Sequence, residues 1–362
     1  MDLATRSLEV IRAGQSASGA FVAGPTFSQY GYAWLRDGAF IAEAMDIVGQ
    51  TAMAARFHDW VADVVLAAEA GIERSIVAAD RGLVPDRRDA LHCRYTVDGS
   101  PVDDDWPAFQ LDGPGIWLWG LAHHQRLGGS LSARHIRAAR LVAAYLAALW
   151  CTPSADAWEE APERVHTGTQ AAILAGLRAL PAVTGERSSS DVAATRAKLE
   201  THLLGGEGAW TKWMGSTEVD SSLLWSLAPY ELVAVDHPRA SATLVRVERE
   251  LVSPAGGVHR YRGDTYYGGG EWLLLTAALG RTYLRRGGPG DRERAVSALA
   301  WIEAQAAPDG TLPEQVATHA LHPDRIDEWV HAWGSSARPL LWSHATYVSL
   351  RTELERGVHG SG

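Results

Sequence analysis

The chain has 362 residues, 46% apolar and 21% charged, with a formal charge of −10 and no long like-charge blocks. That length is enough to bury a core without staples, and an acidic chain without a basic face excludes nucleic acid as a partner. The longest apolar run, Leu141 to Cys151, is too short for a bilayer; Cys93 and Cys151 make no disulfide framework, and residues 1–10 hold no apolar signal core, so a cytoplasmic protein is expected.

β-branched alternating runs are nearly absent, while Ala, Leu, Arg and Glu dominate, which predicts an all-α protein. In chain order the expected helices cover 2–12, 37–48, 51–70, 113–127, 132–150, 167–180 and 191–203. They continue with 220–227, 236–251 (Asp236 as N-cap), 270–284, 291–306 and 337–355. Residues 271–280 are almost continuously apolar, as in an enclosed helix, whereas 191–203 and 236–251 are amphipathic, as in outer ones. Segments rich in Trp, Asp, Gly and Pro precede the enclosed helices, near 30–37, 104–114, 156–166, 208–220, 258–271 and 309–336. This recurrence suggests six helical hairpins, an (α/α)6 barrel or six-hairpin toroid. No Pro/Ser linker splits the chain, so one domain over 1–362, without an N-terminal β-sandwich, is expected.

The 15 tryptophans are the unusual entry in the composition. About half suit an apolar core; the rest stand in polar loops, where indole faces pack on sugar C–H faces. Six segments carry the chemistry. In Tyr30 to Gly38, Asp37 reads either as a helix cap with Arg36 as ion partner, or with Arg36 as a binder of sugar hydroxyls. In Asp103 to Pro114, no Glu closes the acidic run as a calcium loop requires, and Trp106 reads as a pocket wall. Trp158-Glu159-Glu160 could be solvated surface, but an indole wall and a neighbouring carboxylate would also keep one acid protonated. Arg260 to Trp272 combines Arg260, Asp264, tyrosines and glycines without a nucleotide fingerprint. Leu312-Pro313-Glu314-Gln315 offers a fixed base, and Pro339 to Ala345, with Trp342 and His344, opens the last helix. No zinc spacing, metal-helix motif or serine nucleophile motif occurs, so neither metal nor cofactor is expected.

Taken in order, the six segments resemble the catalytic domain of glycoside hydrolase family 15, the glucoamylase-like enzymes. The matching patterns are YxxxWLRDG at 30–38, WxxxQxDGP at 106–114, WEE at 158–160, RYxxDTYYxGxxW at 260–272, LPEQ at 312–315 and PLxWSxA at 339–345. The resemblance implies an (α/α)6 barrel that hydrolyses α-glucosides from the non-reducing end with inversion. Glu159 would be the general acid and Glu314 the general base, with Tyr30 near the attacking water or the acid. Arg36, Asp37, Arg260 and Glu160 would bind the terminal glucose, with Trp34, Trp106 and Trp342 as walls. An inverting pair stands roughly 6.5–9.5 Å apart, leaving room for water.

The chain starts almost directly at the barrel and shows no starch-binding module, which leads one to expect short soluble α-glucosides rather than raw starch. Isomaltose and isomalto-oligosaccharides are slightly favoured over malto-oligosaccharides. A trehalose hydrolase of the same family, a non-catalytic sugar-binding relative and another sugar-active barrel enzyme remain alternatives. Beyond an oligosaccharide substrate, the expected state is a monomer or homodimer with no membrane partner. The segment 316–336, after the base, is expected to shape the aglycone side.

Overall fold

The computed structural model describes residues 2–359. These form two compact units. The first comprises Gln15–Ala23 and Tyr32–Gly206; the second comprises Met1–Gly14, Gly24–Gly31 and Glu207–Gly362. Of the range 1–362 expected as one domain, Met1 and residues 360–362 lie outside the described residues.

Helix α1 (Leu3–Ala13) opens the chain and belongs to the second unit. The first unit then runs β1 (Ala33–Trp34), α2 (Leu35–Ile47), α3 (Thr51–Ala67), α4 (Glu69–Asp80) and β2 (Arg94–Tyr95). It ends with α5 (Asp112–Arg126), α6 (Ala133–Leu149), α7 (Thr167–Thr184) and α8 (Ser190–Leu204). Every residue of α2 is buried, as are nearly all of α5. Helix α2 packs on α5 and α5 on α7, while α3, α6 and α8 cover them with one apolar face each. Enclosed and outer helices therefore alternate, as the hydropathy pattern predicted. The contact of α5 with α7 is backbone-close. A Cβ on Gly115 would lie 2.7 Å from the Ala172 carbonyl, and one on Gly176 would lie 2.5 Å from the Gly115 oxygen. Only glycine fits there despite its helix cost.

The second unit continues with α9 (Pro238–Glu250), β3 (Glu271–Trp272), α10 (Leu273–Arg286), α11 (Asp291–Ala304) and β4 (Gln315–Val316). Helices α12 (Ile326–Trp333) and α13 (Leu341–His359) complete it. Helix α10 is enclosed, as are residues 341–350 of α13; α10 packs on α11 and α13, with α1 against α13.

The strands are two residues each and antiparallel: Trp34 faces Arg94, and Trp272 faces Gln315. In each unit a short strand ends on a tryptophan that is also the N-cap of the enclosed helix, Trp34 for α2 and Trp272 for α10. The ladder fixes where the first helical turn points, and that turn or its partner strand carries candidate site residues.

Several local expectations need correction. Residues 220–227 form not an α-helix but a 3-10 turn over Ser221–Ser226, where the Asp220 carboxylate accepts from Ser222 N at 2.8 Å. Pro229 follows too closely for an α-helix, because the residue before a proline avoids helical geometry. Asp236 is not the N-cap of α9. His237 is, with its Nδ1 accepting from Arg239 N at 3.3 Å and Pro238 at the first helical position. The stretch 51–70 breaks at Ala68 into α3 and a separate α4. Helix α7 runs past Leu180 through Pro181 and stops at Gly185, whose φ of 68° terminates it. Asp37 lies inside the first turn of α2 rather than at its cap.

Candidate active site

The first unit gathers one group of candidate residues around Arg36. Because β1 delivers the chain into α2 at Trp34, the first turn presents Arg36 and Asp37, which are 6% and 7% exposed. Arg36 Nη1 donates to Gln110 Oε1 at 2.8 Å and lies 3.4 Å from Asp112 Oδ2. Its Nε is 3.4 Å from Asp37 Oδ1, and its Nη2 is 3.7 Å from Glu159 Oε1. One buried guanidinium thus faces three carboxylates, which cannot all be ionised cheaply. Burial, and then the charges of Glu159 and Asp112, push Asp37 up to about 6 against the pull of Arg36.

Glu159 sits on a turn built by Asp156. The Asp156 carboxylate accepts from Trp158 N at 2.9 Å and from Glu160 N at 3.0 Å, and Glu159 N donates to the Asp156 carbonyl at 2.9 Å. Glu159 adopts φ of 68° and Ala161 φ of 47°, left-handed conformations that cost non-glycine residues about 1–3 kcal/mol each. The strain aims the Glu159 side chain inward, where Trp34 Nε1 donates to its Oε1 at 2.6 Å. Burial raises the Glu159 pKa, with Arg36, Trp34 and Gln110 opposing. Trp158, 8% exposed, supplies apolar cover, and the half-buried Glu160 shares the turn. Trp106 stands edge-on to Trp34 at 6.1 Å, and the Arg94 guanidinium lies 4.0 Å over the Trp106 ring while pairing with Asp104.

The second unit gathers the other group around Glu314, 4% exposed and immediately before β4. Tyr30 Oη donates to Glu314 Oε1 at 2.9 Å and lies 2.5 Å from Tyr266 Oη. The loop is pinned on both sides of the carboxylate: Glu314 N donates to the Ala337 carbonyl at 2.9 Å, and Leu312 N to His344 Nε2 at 3.0 Å. Burial holds His344 down at about 3, so its ring stays neutral and accepts that bond, while its Nδ1 is 2.8 Å from Ser7 Oγ. His344 is thus a structural support for the loop. Arg260 and Asp264, both buried, pair with Nε to Oδ2 at 2.7 Å. The Arg260 guanidinium lies 4.9 Å over Tyr266 and 5.2 Å over Trp272. Trp342 stacks on Trp225 at 5.3 Å.

The structure therefore joins Trp34, Arg36, Asp37, Trp106 and Glu159, with Trp158 and Glu160 on the same turn as Glu159. Separately it joins Tyr30, Glu314, Arg260 and Asp264 through Tyr266; Trp342 pairs with Trp225. Gln110, Asp112, Arg94, Tyr266 and Trp225 were not read as site residues from the sequence; Asp112 was read only as a possible helix cap, and it lies inside the first turn of α5. The first two stood inside a motif that held their signal; Arg94 and Trp225 had none. The segment 316–336 is not all loop. Helix α12 packs against the 266–268 turn, with Trp329 4.2 Å from Tyr266.

Comparison with known proteins shows the family. Residues 3–291 match the model of glycosyl hydrolases family 15, a span that includes Tyr30 and Glu159 but not Glu314. The isomaltose glucohydrolase of Kribbella flavida is 43% identical over 362 residues, covering 98% of this chain and 92% of that protein. A solved glycosidase variant in complex with glucose superposes with a TM-score of 0.91 at 41% identity, covering 98% of this chain and 96% of that one. A bacterial glucoamylase complexed with acarbose shares the fold, at a TM-score of 0.70 and 20% identity over 98% of this chain and 55% of its own. The fold class of these neighbours is the all-helical (α/α)6 toroid, as the helix pattern predicted. On the family match and the near full-length relatives together, the chain belongs to glycosyl hydrolases family 15 and is a glycoside hydrolase.

Proposed function

We propose that this enzyme removes glucose from the non-reducing end of short soluble α-gluco-oligosaccharides, with inversion, and slightly favours α-1,6-linked isomaltose over α-1,4-linked malto-oligosaccharides. The observation that carries the reading is Glu159: a half-buried carboxyl held on a strained turn, anchored by Trp34 through one oxygen, with its pKa raised by desolvation. That is the state a general acid needs at neutral pH. Similarity to an isomaltose glucohydrolase supports the linkage.

In this mechanism the glycosidic C–O bond breaks as Glu159 gives its proton to the departing oxygen. A water attacks the anomeric carbon from the other face and loses its proton to Glu314, so free glucose leaves as the β-anomer. The Tyr30 hydroxyl, bonded to Glu314 Oε1, fixes the rotamer of the base. Arg36, Asp37, Glu160, Arg260 and Asp264 bind hydroxyls of the terminal glucose, and Trp34, Trp106, Trp158 and Trp342 wall it. Asp37 Oδ1 accepts no hydrogen bond within the described residues, which suits it to a sugar hydroxyl. No metal enters these steps.

Among the described residues no helix is long and apolar enough to cross a membrane. The two free cysteines suit a reducing cytoplasm, and a monomer or homodimer is the proposed state. The test is a panel of isomaltose, maltose and trehalose at equal concentration. The expected order of kcat/KM is isomaltose, then maltose, then trehalose. Trehalose leading would assign a trehalose hydrolase instead, and binding without turnover on any of the three would overturn the enzymatic reading.

A further inference from the structure

Three helices of the first unit bring together Asp46 from α2, His58 from α3 and His124 from α5. They are 5%, 1% and 1% exposed. One ligand-capable atom from each lies within 4.8 Å of the other two. His124 Nδ1 is 2.9 Å from both carboxylate oxygens of Asp46. Neither ring nitrogen of His58 has a hydrogen-bond partner among the described residues, and its ring centre is 4.9 Å from that of His124. The far edge of His124 is closed off, since a Cβ on Gly129 would lie 2.2 Å from Nε2. Its Nδ1 edge is the one that faces Asp46.

A simple Asp–His hydrogen bond directs the ring N–H at one oxygen. Here His124 Nδ1 is shared between both Asp46 oxygens, which sets the carboxylate and the imidazole edge side by side, as two neighbouring ligands of one cation stand. A buried carboxylate beside two imidazoles, one with both nitrogens unsatisfied, is costly unless something compensates it. Burial holds His58 well below the ordinary histidine range, with His124, His135 and His123 adding to it, so its lone pair is available. Burial also raises Asp46, against the hydrogen bond with His124.

We propose that Asp46, His58 and His124 bind one divalent transition-metal cation of the zinc class, which pins α2, α3 and α5 to one another. Two imidazoles and one carboxylate favour zinc over calcium or magnesium, which take mainly oxygen ligands. Binding requires the His58 ring to turn so that the 4.8 Å spread closes onto one ion. Asp46 lies about nine residues after Asp37 on α2, roughly 14 Å along the axis at 1.5 Å per residue. The cation is therefore structural. It holds the helix that presents Arg36 and Asp37, and it takes no part in bond cleavage.

The test begins with protein stripped by a chelator and returned to zinc in the presence of a weak competing chelator. Elemental analysis should give one zinc per chain, and Tm should rise by several degrees over the stripped form. Turnover measured well below Tm should be the same for both forms. His58→Gln and Asp46→Asn should each abolish the uptake and the Tm response. Either variant could fail to fold, so cobalt substitution of the wild type gives an independent reading: a visible absorption band from a low-coordinate, imidazole-ligated ion is expected. Absence of stoichiometric uptake and of a Tm response in the wild type overturns the proposal. So does uptake that survives both substitutions, and so does an immediate loss of turnover on stripping.

Discussion

Glu159→Gln is expected to lower kcat on isomaltose by roughly 10²–10⁴-fold, the range that a positioned general acid contributes. The amide is nearly isosteric and can still accept from Trp34 Nε1 through its carbonyl oxygen, so the turn and the Arg36 cluster should survive. What is lost is the transferable proton. A substrate whose leaving group departs unaided, such as an activated aryl α-glucoside, should therefore suffer much less. Equal losses on both substrates would remove Glu159 from the acid role. The pH profile supplies a second reading. Burial raises the Glu159 pKa, and the protonated form is the working one. Activity is then present below that raised pKa and is lost as pH rises through it. The basic limb of kcat/KM should lie above the ordinary glutamic acid range in the wild type and disappear in Glu159→Gln.

Glu314→Ala is expected to cost roughly 10²–10⁴-fold in kcat on every substrate, activated or not, because water activation is needed whatever the leaving group. This uniform loss is what distinguishes a base from an acid. Binding of glucose, followed by calorimetry, should be retained, since Arg260 and Asp264 pair with each other. The substitution removes the acceptor of the Tyr30 hydroxyl, which keeps its contact with Tyr266 at 2.5 Å. A substituted protein that still turns over at near wild-type rate would show that another group takes the water's proton. One that no longer binds glucose would place Glu314 among the binding groups instead.

The parts of the fold that the sequence made legible are those where one rule acted alone. Residues 271–280 are apolar all round, and only an enclosed helix tolerates that, so α10 and its outer neighbours could be told apart. Helix α4 was missed because 51–80 carries no Gly or Pro break at Ala68; the chain turns there for tertiary reasons, and Gly71 then lets the Asp89 backbone approach. Helix α12 carried its own signal in Ile326, Trp329, Val330 and Trp333, an i, i+3, i+4, i+7 stripe, but a run of only eight residues between turn signals read as loop. Asp236 lost the cap of α9 to His237 because a proline at 238 fixes the helix start one residue later than an Asp cap would.

The candidate site divides in the same way. Glu159, Arg36 and Glu314 stood in short motifs of unusual composition. Arg94 did not, and Tyr266 stood inside the 260–272 motif without a role of its own; their roles come from partners that only the fold supplies, Tyr30 at 2.5 Å for Tyr266 and the Trp106 ring at 4.0 Å for Arg94. The strained backbone of Glu159 was equally invisible, since nothing in Trp158-Glu159-Glu160 demands a positive φ. It follows from the way Asp156 wraps the turn with its carboxylate.

The most direct test of the account follows the first-formed sugar by proton NMR as isomaltose is cleaved, before mutarotation equalises the anomers. The account predicts that free glucose appears first as the β-anomer. Initial release of α-glucose would mean that the original configuration is kept, and an acid–base pair acting across a single water could not produce it.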